Sequence, residues 1–124
     1  MGSQMFFQGS MEVERTMMDV MEGLYQVALE RKEKKQEGSY TCYLFEQGLD
    51  KILKKCGEEC SEVIIAAKNG IPEDTANEVC DLLYHLIVML VESGISLKEI
   101  EEILEQRRAK IGNLKQFHTS DHCS

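Results

Sequence analysis

The chain carries a single proline, Pro72, and it stands two residues after Asn69-Gly70. Asn-Gly is a good left-handed stop for a helix. A proline just beyond it fits the first turn of a new helix, where its missing N–H costs nothing. The tetrad Asn69-Gly-Ile-Pro72 therefore joins two helices through a turn so short that they must lie side by side and antiparallel. With no other proline, and with the best periodicities helical throughout, the expected fold is all-α.

The flanks of this turn are acidic. Glu58, Glu59 and Glu62 precede it; Glu78 and Asp81 follow it. If each residue is advanced by about 100° from Cys56, then Leu49, Leu53, Cys56, Cys60, Val63 and Ala67 fall within one arc, the expected core face. Glu58, Glu59 and Glu62 occupy a flank beside that arc. Beyond the turn, Asp74, Glu78, Asp81, His85 and Glu92 follow spacings of four, three, four and seven, giving one polar stripe on an otherwise apolar helix. An isolated Glu-x-x-Glu is ordinarily a solvated helix face. Here the second pair sits on the most apolar helix of the chain, and the short turn brings both runs to one seam. Carboxylates gathered there repel one another and lose hydration, which calls for a cation.

Carboxylates without thiolate or imidazole favour a hard cation, and Mg²⁺ is usually held by a few carboxylates with phosphate oxygens and water. A di-iron bundle would need Glu-x-x-His pairs, but the residues three before His85, His118 and His122 are Leu82, Lys115 and Thr119. Lys51, Lys54, Lys55 and Lys68 share a helix with the first acids, and Arg31 and Lys32 close the preceding helix. Acids, Mg²⁺ and a cluster of cations suit phosphoanhydride hydrolysis, with an acid not fully used as ligand accepting the proton of the attacking water. No Ser-His-Asp grouping and no phosphate-binding Gly-x-x-x-x-Gly-Lys-Ser/Thr loop competes with this reading.

Four main helices are expected, completed as a larger bundle in a homodimer. The first spans about Val13–Lys35, with Met17, Val20, Met21, Leu24, Val27 and Ala28 as its buried stripe. Gly38-Ser-Tyr-Thr41 reads as a loop whose N–H groups, hydroxyls and aromatic face suit a phosphate or ribose, or else as a plain connector. A short helix over Cys42–Gln47 ends at Gly48. Helices over about Leu49–Lys68 and Pro72–Ser93 follow. The latter, apolar on nearly every side from Leu82 to Val91, is the expected central helix, covered in part by a second copy. Ser96-Leu-Lys-Glu99 opens the last helix with a capping box, and Leu97, Ile100, Ile103, Leu104 and Ile111 form its apolar side.

Met1–Ser10 lacks charge and periodicity and is read as an expression scar, leaving a domain over 11–112 and a flexible tail over 113–124. The net charge of −8 argues against tracking a nucleic-acid backbone. No apolar run reaches the ~18 residues of a membrane span. The five cysteines are an odd number, with Cys56, Cys60 and Cys80 on expected core positions; they read as small hydrophobes in a reducing compartment.

Glu58-Glu59-x-x-Glu62 followed by Glu78-x-x-Asp81 resembles the EExxE…ExxD signature of the all-α NTP pyrophosphatase superfamily. Glu30-Arg-Lys32, Gly38-Ser-Tyr-Thr41, Gly48–Lys55, Gly57-Glu-Glu59, Ala66-Ala-Lys-Asn69 and Asp81-Leu-Leu-Tyr-His85 are together similar to the phosphoribosyl-ATP pyrophosphatase family, over about Leu24–Arg108. The resemblance implies Mg²⁺-dependent cleavage of phosphoribosyl-ATP to phosphoribosyl-AMP and pyrophosphate in histidine biosynthesis. It implies a cytoplasmic homodimer with sites near the subunit interface, and a separate cyclohydrolase acting next. Glu58, Glu59, Glu62, Glu78 and Asp81 become the metal-associated acids, Glu59 and Glu62 the catalytic candidates. Arg31, Lys32, Ser39, Tyr40, Thr41, Lys55, Lys68 and Asn69 become the substrate-binding candidates. Gln36 departs from the pattern, standing where relatives often carry proline, which bears on the rigidity of the loop. Two rivals accompany this reading: a housekeeping (d)NTP pyrophosphatase of the same superfamily, and a non-catalytic helical interaction module.

Overall fold

A computed structural model describes residues 15–112, which form five α-helices and, among the described residues, no strand. They are α1 Met17–Glu33, α2 Tyr40–Gln47, α3 Leu49–Asn69, α4 Pro72–Ser93 and α5 Leu97–Gly112. The expectations for residues 1–10 and 113–124 lie outside the described residues, as do the first residues of the expected opening helix.

Local chemistry accounts for the boundaries. Thr16 and Asp19 cap α1 reciprocally, each side chain accepting from the other's backbone N–H (3.0 and 3.2 Å). Ser39 caps α2 by accepting from the Cys42 N–H at 3.1 Å. That cap pulls Tyr40 and Thr41 into the helix, so the Gly-Ser-Tyr-Thr tetrad is half loop and half first turn, not a loop throughout. Gly70 closes α3 at φ 81, its N–H reaching the carbonyls of Ala66 and Ala67. A side chain there would be strained, which is why the hairpin turn needs glycine. Ser96 and Glu99 make the expected capping box of α5, with Ser96 N–H to Glu99 at 3.0 Å and Glu99 N–H to Ser96 at 3.2 Å.

α4 is the central element. Its Ile87 and Val91 pack with Ala28, Met21, Tyr25 and Leu29 of α1, while Val88 packs with Leu44 of α2 and Ile52 of α3. Phe45 joins both groups. Tyr25 ties α1 to the α4–α5 turn, its hydroxyl donating to the Ile95 carbonyl at 3.0 Å. No single helix among the described residues is long and apolar enough to cross a membrane.

Two expected faces are rotated. On α3 the buried line is Ile52, Cys56, Glu59 and Ala66, whereas Leu49, Leu53, Cys60 and Ala67 are exposed. On α1 only Ala28 of the expected stripe is buried and Met21 is half-buried, while Met17, Val20, Leu24 and Val27 are exposed. Cys80 is exposed as well, and Cys42 is buried. On α5, Leu97 is buried and Ile100 half-buried; Ile103, Leu104 and Ile111 stand open. For α1 and α3 the reason is shared: each carries apolar residues on more than one side, and a wheel drawn from sequence selects the widest arc, which is not the side that meets α4. On α5 the expected side is the right one, but only its first turns are covered.

Candidate active site

Rotation of α3 has its largest consequence at Glu59. The residue lies on the line that faces α4, with 6% of its surface exposed. Opposite it, Glu78 and Asp81 are one turn apart and so project from one side of α4. One ligand oxygen from each of Glu59, Glu78 and Asp81 lies within 4.8 Å of the others. Two carboxylate oxygens here, Glu59 Oε2 and Glu78 Oε1, are buried with no hydrogen-bond partner among the described residues. Burying a carboxylate oxygen without a donor is among the costlier things a fold can do. The Glu78 carboxyl is pushed above its usual pKa, first by loss of hydration, then by the negative charge of Glu62 and a hydrogen bond shared with that side chain, then by the charges of Asp81 and Glu59.

The other two acids differ. Glu62 is exposed but acts on Glu78, and the two line an open cleft of about 320 Å³ with Asn69, Asp74, Asn77 and Ile65. Glu58 turns away to Lys55, 3.2 Å from its Nζ, and that hydrogen bond raises the Lys55 pKa. The structure thus gathers Glu59, Glu78 and Asp81, sets Glu62 beside them, and leaves Glu58 in an ion pair.

Do these residues fit a metal? Three carboxylates converge from two helices, two of their oxygens lack donors, and no nitrogen or sulfur ligand is in the group. That is a donor set for a hard divalent cation such as Mg²⁺.

A chain of hydrogen bonds leads away from the acids. His85 is buried, and its Nδ1–H donates to the Asp81 carbonyl at 2.8 Å. Its Nε2 is therefore the acceptor in the neutral ring, and the Tyr40 hydroxyl donates to it at 3.0 Å. Burial is the main cause of the raised Tyr40 pKa, with Lys55 opposing it and Tyr84 and Glu59 adding to it. Thr41 shares a hydrogen bond with the Tyr84 hydroxyl. His85 is thus a core histidine, and it links the first turn of α2 to the helical turn that carries Asp81.

The family model for phosphoribosyl-ATP pyrophosphohydrolase matches residues 21–108, well over half of the 124-residue chain. The chain belongs to that family. Among its relatives are proteins called phosphoribosyl-ATP pyrophosphatase. One from Streptococcus sanguinis is 54% identical over 103 residues, 83% of this chain and 99% of the relative. One from Clostridium novyi is 55% identical over 98 residues, 79% of this chain and 89% of the relative. A third, from Streptococcus gordonii, is 58% identical over 91 residues, 73% of this chain and 88% of the relative.

Within this family member, the remaining substrate-binding candidates divide by location. Arg31 and Lys32 line a second cleft, of about 410 Å³, with Lys35, Phe45, Glu46 and Glu92. There Lys32 pairs with Glu92 at 3.4 Å and sits 5.9 Å from the Phe45 ring centre. Ser39 and Tyr40 line a third cleft, of about 420 Å³, which shares Lys35, Cys42 and Glu46 with the second. Asn69 belongs to the acid cleft. Lys68 is exposed and lines none of these three clefts. The hydroxyls of Ser39 and Thr41 already carry internal hydrogen bonds.

Sequence reasoning missed Asn77, which stands between Asp74 and Glu78 on the acid face and lines the same cleft; its spacing of three from Asp74 was the available signal. It also missed Cys42. The buried sulfur accepts the Gln36 N–H at 3.2 Å and points its thiol at the Arg31 carbonyl at 3.3 Å, seating the loop beside the second and third clefts. Nothing in the local pattern marks a cysteine for that task.

Proposed function

We propose that the chain hydrolyses phosphoribosyl-ATP to phosphoribosyl-AMP and pyrophosphate, in the histidine-biosynthetic pathway, with Mg²⁺ held by Glu59, Glu78 and Asp81. The observation that carries the reading is the pair of buried, donor-free oxygens on Glu59 and Glu78 beside Asp81, in a chain of this family. When bound, Mg²⁺ neutralises phosphate charge and acidifies a coordinated water.

The chain's own residues supply the rest. Glu62, exposed at the rim and next to Glu78, takes the proton from the attacking water. The water oxygen joins phosphorus, the α–β anhydride bond breaks, and pyrophosphate leaves. Glu59, fixed by burial, keeps the acid group in register from the α3 side. Glu58 contributes through Lys55, holding that ammonium where phosphate charge gathers. Arg31, Lys32, Lys55, Lys68 and Asn69 bind the anionic parts of the substrate. Tyr40, with the backbone at Ser39 and Thr41, borders its nucleoside.

The active form is a homodimer in the cytoplasm, and a separate cyclohydrolase takes the product. Support for the dimer comes from exposed apolar residues on α1 (Met17, Val20, Leu24) and α3 (Leu49, Leu53, Ile64), more than one chain can cover. Incubation of purified protein with phosphoribosyl-ATP and Mg²⁺ should release pyrophosphate, and EDTA should stop it. Absence of release from folded protein removes the proposal.

A further inference from the structure

The first turn of α2 carries two aromatic rings whose exposure the fold does not require. Tyr40 and Tyr43 are 45% and 41% exposed. Their rings lie 6.1 Å apart, centre to centre, inclined by 26°. Both line the open cleft of about 420 Å³ that Gln36–Ser39 also border, a volume in the range of small-ligand sites, roughly 300–1,000 Å³. The Tyr40 ring is held from behind, its hydroxyl given to His85 at 3.0 Å and the Tyr84 ring 6.4 Å away at 28°. Its polar tip is therefore engaged, and what it offers a ligand is a rigid face.

We propose that the paired rings of Tyr40 and Tyr43 are a stacking platform for a purine base, and that Tyr43 is a substrate-binding residue. The identification of the base as the adenine of phosphoribosyl-ATP rests on the function proposed above. Three features favour a nucleotide base over another flat apolar group. Lys51 Nζ stands over the Tyr43 ring, 5.9 Å from its centre, placing a cation against the platform where phosphate oxygens would pass. Lys55 and Glu59 both act electrostatically on Tyr40, so the platform adjoins the acid group. His85 also joins Tyr40 to the Asp81 carbonyl, keying the ring to the helical turn that carries one of the three acids. A base stacked here would have its phosphate chain leave between lysines towards the carboxylates.

The chain contains no tryptophan, so Tyr43→Trp places a sole indole reporter on the platform. Titration with AMP should quench its fluorescence saturably; ribose 5-phosphate, which lacks a base, should not. In steady-state assays Tyr43→Leu should raise KM for phosphoribosyl-ATP roughly ten-fold, the worth of a lost stacking partner, with kcat falling far less, and Tyr43→Phe should keep near-normal KM. Equal quenching by AMP and ribose 5-phosphate, no quenching by either, or a KM within about two-fold of normal in the folded leucine variant overturns the platform. Should the leucine variant fail to fold, the indole titration decides alone. If the unaltered protein releases pyrophosphate while the tyrosine variants behave normally, the platform falls and the activity stands. If it releases none while AMP still quenches the indole, the activity falls and a purine site remains.

Discussion

The two ends of the charged surface are built on opposite terms. Where α1 meets α2, three cations each have a carboxylate: Lys32 with Glu92 at 3.4 Å, Lys35 with Glu46 at 2.7 Å, Arg31 with Glu30 at 4.0 Å. Across the α3–α4 hairpin, Glu59, Glu78 and Asp81 face one another with no cation among them, and two of their oxygens are buried without a donor among the described residues. Paired surface charges are close to neutral for stability and readily exchange partners. Unpaired buried ones are a standing cost, relieved by taking up a proton or by a cation from outside the chain. On the function proposed above, the basic end would accept a phosphate by partner exchange and the acid end would take a metal.

The sharpest way to break this contrast is to remove the acids singly. Glu59→Gln, Asp81→Asn and Glu62→Gln should each lower turnover by orders of magnitude. Glu59→Gln should in addition raise the Tm measured in EDTA, because an amide of the same shape ends a charge repulsion that the metal-free fold carries. Activity and metal-free stability would then move in opposite directions at one residue. A loss of both would mean that Glu59 is a structural acid and that the hairpin seam has no metal to hold.

Metal addition tests the same point in the unaltered protein. A ligand at a hundred times its Kd stabilises by about 2.7 kcal/mol, worth a rise of roughly 10–20 °C in Tm for a domain this small. Mg²⁺ should produce a shift of that order, and Glu78→Gln should shrink it. Calorimetry with and without a nucleotide should show tighter Mg²⁺ binding when phosphate is present, which a helical interaction module has no reason to display.

The pH dependence of the metal-free protein sharpens the comparison further. The Glu78 pKa is raised in the fold by lost hydration and by Glu62, Asp81 and Glu59. In the window between its unfolded value of about 4.5 and the higher folded one, the native state binds more protons than the unfolded state. Stability must therefore fall as pH rises through that window. In EDTA, Tm should decline from the acidic side of the window towards neutrality, and Glu78→Gln should flatten the decline. A rising Tm over the same range would place Glu78 in a relaxed, solvated environment.

The hairpin was legible because its signals are local: Gly70, Pro72 and the acids on either side announce the turn and the seam within a few residues. The Ser39 cap was equally local, yet it moved Tyr40 and Thr41 from loop to helix because a capping serine competes with the turn reading of Gly-Ser-Tyr. The depth of Glu59 was not legible. Its burial depends on which side of α3 meets α4, and apolar residues on both sides, Ile52 and Ala66 on one and Leu49 and Leu53 on the other, leave that rotation undetermined by periodicity. The pairing of Tyr40 with His85 spans 45 positions, a contact made only once three helices have packed.

The smallest expected effect lies at the basic end, and it completes the contrast. Lys35 and Glu46 are largely exposed, so water and salt screen their attraction. The Lys35 pKa is raised by its hydrogen bond to Glu46, so whatever the pair contributes is present below the ordinary lysine value of 10.5 and is lost only as pH climbs through the folded value. At neutral pH Glu46→Gln should therefore leave Tm within experimental scatter, in low and high salt alike. It should also release Lys35 into the cleft it shares with Arg31, so that KM for phosphoribosyl-ATP holds or falls. A marked loss of Tm, or a higher KM, would show that this pair braces the cleft as rigidly as burial fixes Glu59, and the division between exchangeable and waiting charges would no longer describe the molecule.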